Sequence, residues 1–232
     1  MADNEQLVSA VARLIFLPDA YGRSGVLLQL MSTATEALGL AGAAVTLVEG
    51  GHCEVAGATP DALREIEAAQ CDCRCGPGLE ALRRGESVAI ADVRDYRTEW
   101  PEYTSVAVRH GVSAVAQIPM QLGDTRVGAL GLFAPRPRQW SAAELSVGAL
   151  LAGMAAGHLL TADKLQRQQQ LTDQLQHALS SRIVVEQAKG VIAGAHRITP
   201  EAAYELIRGH ARRRRVGVHE VARAIVELGL RL

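Results

Sequence analysis

Apolar residues Val26, Leu27, Leu30, Met31, Ala34 and Leu38 recur every three or four positions, the spacing that lines one face of a helix. Ser24 is suited to start that helix and Gly39 to end it. Two short apolar runs follow, residues 43–48 and 53–58. They are separated by Glu49-Gly50-Gly51, which predicts two strands joined by a hairpin turn. Pro60, at a first helical position, opens a helix that continues through residues 62–69. Gly76-Pro77-Gly78 breaks the chain before a short helix over 79–84. Residues 87–91 read as a strand and 103–109 as another short helix. Strands over 113–121 and 127–133 flank Leu122-Gly123-Asp124-Thr125, where Gly-Asp suits a tight turn. This order predicts an α+β fold: an antiparallel sheet with helices packed on it.

The pattern then changes to helix alone. Ser141 with Glu144 three residues on forms a capping box, so a long helix is expected to start there. It is expected to run through the glutamine-rich segment 166–170 toward Leu179. Leu171, Leu175 and Ala178 make a short, broken seam, which reads as a helical linker able to pair as a coiled coil. Three amphipathic stripes follow. Val184, Ala188, Val191, Ile192 and Ala195 form the first. Ala203, Leu206, Ile207 and Ala211 form the second, after Thr199-Pro200-Glu201, a cap followed by proline at the first helical position. Val218, Val221, Ala222, Ile225 and Leu228 form the third, after a break at Gly217. Three such helices bury a small shared core.

Aromatic residues are only 3% of the 232, so Leu, Val, Ile and Ala must fill the cores. The net charge of −1 is uninformative, but its distribution is not. Residues 1–170 carry 14 Lys and Arg against 19 Asp and Glu; residues 171–232 carry 10 against 6. A basic tail on an acidic body makes nucleic acid a reasonable partner for the tail. Residues 1–10 lack the basic start and apolar run of a secretory signal, and no run approaches ~18 uninterrupted apolar residues. A cytoplasmic protein with no membrane partner is therefore expected. The apolar run 147–160 reads as a buried helix.

The four cysteines are Cys53, Cys71, Cys73 and Cys75. Without an export signal, a disulfide framework is not expected. Alternate spacing in an extended chain would put Cys71, Cys73 and Cys75 on one face. Arg74 and the amides of residues 76–78 would then lower a thiolate pKa. Three thiolates with Cys53 or His52 could hold zinc or an iron–sulfur cluster, although Cys-x-Cys-x-Cys is not a standard ligand spacing. Redox sensing by neighbouring thiols is a second reading and inert thiols a third. Asp92, Arg94, Asp95 and Trp100 follow a strand end, where a ligand-pocket mouth is expected from Asp92, Arg94 and Trp100. No Ser-His-Asp set, P-loop or metal-hydrolase motif occurs, so an enzyme is not expected.

The most specific stretch is Arg182-Ile-Val-Val-Glu-Gln-Ala-Lys-Gly-Val-Ile192. With Glu201-Ala-Ala-Tyr-Glu-Leu-Ile-Arg208 and Glu220-Val-Ala-Arg-Ala-Ile-Val226 it resembles the ANTAR family of transcription antitermination regulators. The resemblance implies binding to RNA hairpin loops in nascent transcripts, usually as a homodimer, with suppression of a terminator. Arg182, Glu186 and Lys189 share a face at i, i+4, i+7, as do Arg208, Arg212 and Arg215; Arg213 and Arg214 widen the patch. Guanidinium groups pair with phosphate and stack on unpaired bases, so Arg182, Lys189, Arg208, Arg212, Arg213, Arg214 and Arg215 are the RNA-binding candidates. The family usually carries one or two basic residues where this chain has four in a row. Gly190 is unusual inside a helix and is expected to serve close helix packing.

Upstream, Gly76-Pro-Gly-Leu-Glu-Ala-Leu-Arg83, Val88-Ala-Ile-Ala-Asp-Val93, Ser113-Ala-Val-Ala-Gln-Ile-Pro119 and Val127-Gly-Ala-Leu-Gly-Leu-Phe133 resemble the GAF sensor fold. That resemblance implies a small-molecule ligand bound on one sheet face and dimerisation through flanking helices. The Asn-Lys, Phe and Asp-Glu pattern of cyclic-nucleotide-binding relatives is absent, as is a bilin-attaching cysteine–histidine pair. The expected organisation is a GAF-like sensor over 1–160, a helical linker over 161–178 and an ANTAR domain over 179–232. The function expected is a ligand- or redox-responsive RNA-binding antitermination regulator. Two alternatives stand beside it. One is a GAF-fold methionine sulfoxide reductase, suggested by Cys75-Gly76, although Val108-Arg-His-Gly-Val-Ser113 lacks the second cysteine. The other is a protein-interaction adaptor.

Overall fold

The computed structural model describes residues 11–12 and 22–232, with backbone alone at 177 and 178. The polar segment 1–10 and the side chain of Ala178 in the expected seam lie outside the described residues. The chain divides into two compact units, Met1–Lys164 and Leu165–Leu232.

The first unit opens with α1 (Gly22–Leu38), ended by Gly39 at φ +59°. β1 (Gly42–Glu49) and β2 (His52–Thr59) form the expected hairpin. A 3-10 turn, Asp61–Leu63, leads into α2 (Arg64–Cys73), which extends four residues beyond the stretch expected from sequence and takes in Cys71 and Cys73. Then come α3 (Pro77–Arg84), β3 (Val88–Ile90), a second 3-10 turn (Val93–Tyr96), α4 (Pro101–Arg109), β4 (Ala114–Leu122) and β5 (Thr125–Ala134). The sheet is antiparallel with order β2-β1-β5-β4-β3.

Alternation along each strand sends side chains to two different cores. Ala43, Val45 and Leu47 of β1, Ala116, Ile118 and Met120 of β4 and Leu130 and Leu132 of β5 face one way. They pack with Leu27, Leu30 and Met31 of α1 and with Leu151, Ala155 and Leu159. The opposite residues, Ala44, Ile90, Val115 and Phe133, pack with Leu63, Ile66, Trp100 and Tyr103. This second face is where polar side chains enter the interior.

α5 (Ala142–His196) is one helix of 55 residues. The capping box is made: Glu144 N–H donates to Ser141 Oγ at 3.2 Å and Ser141 N–H donates to Glu144 Oε2 at 2.8 Å. The separation expected between a linker ending near Leu179 and a helix starting near Val184 is not present, because nothing in Ser180-Ser181 interrupts the backbone ladder. α5 is long and apolar enough to cross a membrane by length and composition. A core helix meets the same test, and Leu151, Ala152, Ala155 and Ala156 are fully buried in the first core.

In the second unit, α6 (Pro200–Arg214) starts at Thr199, whose Oγ1 accepts from Ala202 N–H at 3.2 Å. α7 (Val218–Leu228) starts after Gly217, whose N–H donates to Glu220 at 3.1 Å. Ala188, Ile192, Ala203, Ile207, Ala211, Val221, Ala222 and Ile225 form one small core. Val191, Leu206 and Leu228, expected inside, are exposed.

Candidate functional site

Two regions carry the chemistry. The first lies under the second sheet face. Glu67, on α2 and fully buried, accepts from Thr46 Oγ1 on β1 at 2.6 Å and from Gln117 Nε2 on β4 at 2.6 Å; Gln70, one turn along α2, donates to it as well. Gln70 Oε1 in turn accepts from Gly78 N–H at 2.9 Å, tying the cluster to the start of α3. Glycine backbone closes the space: a Cβ on Gly131 would meet Gln117 Nε2 and Glu67 Oε1 at 2.9 Å each. Burial pushes the Glu67 carboxyl above its ordinary value, against the pull of Thr46, Gln117 and Gln70. Burial also holds the Tyr103 phenol well above its usual range; Glu67 adds to this and Gln117 acts against it. Among the described residues, Tyr103 Oη and Gln117 Oε1 are buried and make no hydrogen bond of ordinary geometry.

Sequence reasoning missed this cluster. The signal was present as polarity in the wrong place: Glu67 falls on the buried Leu63-Ile66-Gln70 stripe, and Gln117 interrupts the apolar run of β4.

The cysteines lie at the edge of the same region, but not as expected. Cys71 and Cys73 occupy the last turn of α2, so the helix, two residues being about 200° of rotation, points them apart rather than onto one face. Cys53 of β2 is disulfide-bonded to Cys71, where no disulfide framework was expected from the sequence. Cys73 and Cys75 are free and half-buried. Cys73 Sγ donates to the Cys75 carbonyl at 2.9 Å. The Cys75 thiol is pushed up to about 11, not lowered: its hydrogen bond with Cys73 is the largest cause, followed by burial and by the charges of Cys73 and Glu102. Among the described residues no group of three or more His, Cys, Asp or Glu side chains is placed to hold a metal ion. While bonded to each other, Cys53 and Cys71 offer no thiolates.

Of the expected pocket-mouth residues, Asp92 and Arg94 pair with each other and Trp100 lies in the second core. Asp92 caps the 3-10 turn by accepting from Arg94 N–H at 3.0 Å, and its carboxylate takes both Nε and Nη2 of Arg94. That guanidinium holds the Asp92 carboxyl below its usual range. Trp100 is 7% exposed and stacks on Tyr96 with ring centres 5.1 Å apart, part of the second core rather than a loop.

The second region is the basic surface of the tail. Arg212, Arg213 and Arg214 form the last turn of α6, and Arg215 caps it in the left-handed conformation at φ +58°. Arg215 therefore leaves the face that Arg208 and Arg212 share. All four side chains of 212–215 are exposed, as are those of Arg208 and Arg182. Arg208 reaches Glu205 at 3.3 Å, and Lys189 Nζ binds both oxygens of Glu186 at 2.9 and 3.0 Å. Among the described residues, no ion pair engages Arg182 or the four consecutive arginines. Gly190 does not serve close packing: a Cβ there would meet nothing within 4 Å.

An antiparallel sheet clad on both faces, followed by a helical tail with a free cationic edge, defines a sensor domain joined to an effector module. The chain belongs to the GAF domain family, which matches residues 22–159, and an ANTAR domain follows at 173–226. No curated protein matches the chain.

Solved structures agree on the fold of the first unit. The cyanobacteriochrome TePixJ GAF domain is 22% identical, with 65% of this chain covering 94% of that one at a TM-score of 0.53. The GAF domain of the Acinetobacter phosphoenolpyruvate-protein phosphotransferase is 13% identical, with 72% covering 98% at 0.55. The free methionine-R-sulfoxide reductase of Neisseria meningitidis, solved with its substrate, is 14% identical, with 70% covering 91% at 0.52. GAF followed by ANTAR is the make-up of a sensor-regulated antitermination regulator, regulatory rather than enzymatic, with an RNA-binding tail.

Proposed function

We propose that the tail grips hairpin loops in nascent transcripts and that a small ligand or the redox state of the GAF domain sets how two tails in a homodimer are presented to RNA. The observation that carries the reading is the row of exposed arginines 212–215, without ion pairs among the described residues, in an ANTAR domain. Unpaired guanidinium groups keep their donors for phosphate oxygens and their flat faces for splayed bases. Lys189 contributes only by leaving Glu186, so it ranks below the arginines.

Two features support coupling to the sensor. α5 runs without interruption from Ala142 to His196, through residues of both domains. Along it Leu165, Leu171, Leu175, Leu179 and Ile183 are about half to two-thirds exposed, an apolar row suited to a second copy of the helix. A shift in that pairing would change the population of tails held in register.

Capture of transcripts by the purified protein tests the reading. Enrichment of hairpins whose loop substitution abolishes capture supports it. Capture indifferent to the loop, or none, contradicts it.

A further inference from the structure

We propose that the Cys53–Cys71 disulfide is a reversible staple that holds α2, and with it the buried Glu67 cluster, against the sheet. It rests on the reading of the GAF domain as the sensing part of the chain and names the signal as thiol–disulfide chemistry.

The staple joins β2, the edge strand, to the C-terminal turn of α2. Both cysteines are half-buried, so a small thiol can reach the bond. On the same helix Glu67 lies one turn before Cys71 and Gln70 immediately before it, and their hydrogen bonds reach β1, β4 and α3. The segment after the staple is hung on Gln70 too: Cys75 N–H donates to the Gln70 carbonyl at 3.2 Å, and Cys73 Sγ lies 3.8 Å from it. The bond thus fixes the end of the helix that carries Glu67 and Gln70. Among the described residues, two buried atoms of that cluster, Tyr103 Oη and Gln117 Oε1, make no hydrogen bond of ordinary geometry, so the cluster is not fully satisfied.

The Cys75 thiol stays protonated far above neutral pH, and a thiol is a poor nucleophile. The reaction is exchange at the staple. A small dithiol gives two electrons and two protons to the Cys53–Cys71 bond, leaving two cysteine thiols and a cyclic disulfide. A hydroperoxide reverses it: the two thiols lose two protons and two electrons, the disulfide reforms, and an alcohol and water are released.

The test uses the full chain carrying Cys73→Ser and Cys75→Ser, so that only the staple pair remains. Thiol titration is expected to find none before a dithiol, two after it, and none again after a hydroperoxide. Amide hydrogen exchange is expected to quicken at least tenfold over α2 on reduction, with β4 and β5 unchanged and full recovery on oxidation. Cys53→Ser in the otherwise native chain should show the same exchange without reductant. Two thiols in the untreated protein, unchanged exchange over α2, or faster exchange across the whole sheet would each overturn the proposal. Hairpin capture is measured in the same oxidised and reduced samples. Loss of capture in both states indicts the RNA reading, whereas a failed staple with capture intact indicts only this one.

Discussion

Gln117 Nε2 on β4 donates to Glu67 Oε1 on α2 at 2.6 Å, joining two residues fifty positions apart in the interior of the domain. Glu67 takes three donors, yet burial outweighs them and raises its carboxyl above 4.5. A folded state that holds a proton more tightly than the unfolded chain gains most where both are protonated. Its contribution is full below the unfolded value near 4.5 and is lost as pH rises through the folded one. Replacement by glutamine removes the titration, and the neighbouring Gln117 amide can turn to present its unpartnered Oε1 to the new Nε2. The melting temperature of the wild type relative to Glu67→Gln should therefore be highest below pH 4.5 and fall as pH rises above it. A difference constant across that range would show that Glu67 does not titrate between the two states.

The Cys75 thiol gives a second pH signature. Its largest perturbation is the hydrogen bond with Cys73, so alkylation of Cys75 should remain slow until pH nears 11. In Cys73→Ala that bond and the Cys73 charge are gone, and the alkylation profile should move to lower pH. Mass-resolved alkylation rates from neutral pH up to about 11 measure both. Identical profiles for the two proteins would mean that Cys73 does not control its neighbour.

Gly190 sits inside α5 with open space where a side chain would go. Alanine there should raise the stability of the tail by about 1 kcal/mol, the usual helix-interior difference between these residues. Thermal unfolding of the tail signal checks this. Should RNA or a second copy press against that surface, the added methyl would also weaken hairpin capture, so both are worth recording on the same variant. Lower stability would show that the position is crowded.

Much of the fold was legible because its elements obey period and punctuation. The hairpins at Glu49-Gly50-Gly51 and Gly123-Asp124 and the caps at Ser141 and Thr199 each combine a turn or cap residue with a clean apolar pattern. The interior of the sensor was less so. Nothing in Gln70-Cys71-Asp72-Cys73 announces a helix end, so α2 runs on through both cysteines and stops only at Arg74, in the left-handed conformation. The Glu67 cluster depends on which faces of β1, β4 and α2 meet, a tertiary fact that a linear pattern carries only as polar residues in apolar stripes. The continuity of α5 through Ser180-Ser181 was hidden because serine is a cap residue only when the backbone ladder ends beside it.

Binding of a captured hairpin across a salt series, for the wild type and for Arg212→Ala/Arg213→Ala/Arg214→Ala, decides whether these arginines grip RNA. Alanine favours helix, so α6 keeps its fold and only cations are removed. The triple variant should bind at least tenfold more weakly at ~0.1 M salt, with a logarithmic salt slope shallower by about 0.7 for each phosphate that is no longer neutralised. Equal affinity and equal slope in the two proteins would contradict RNA recognition through this edge of the tail.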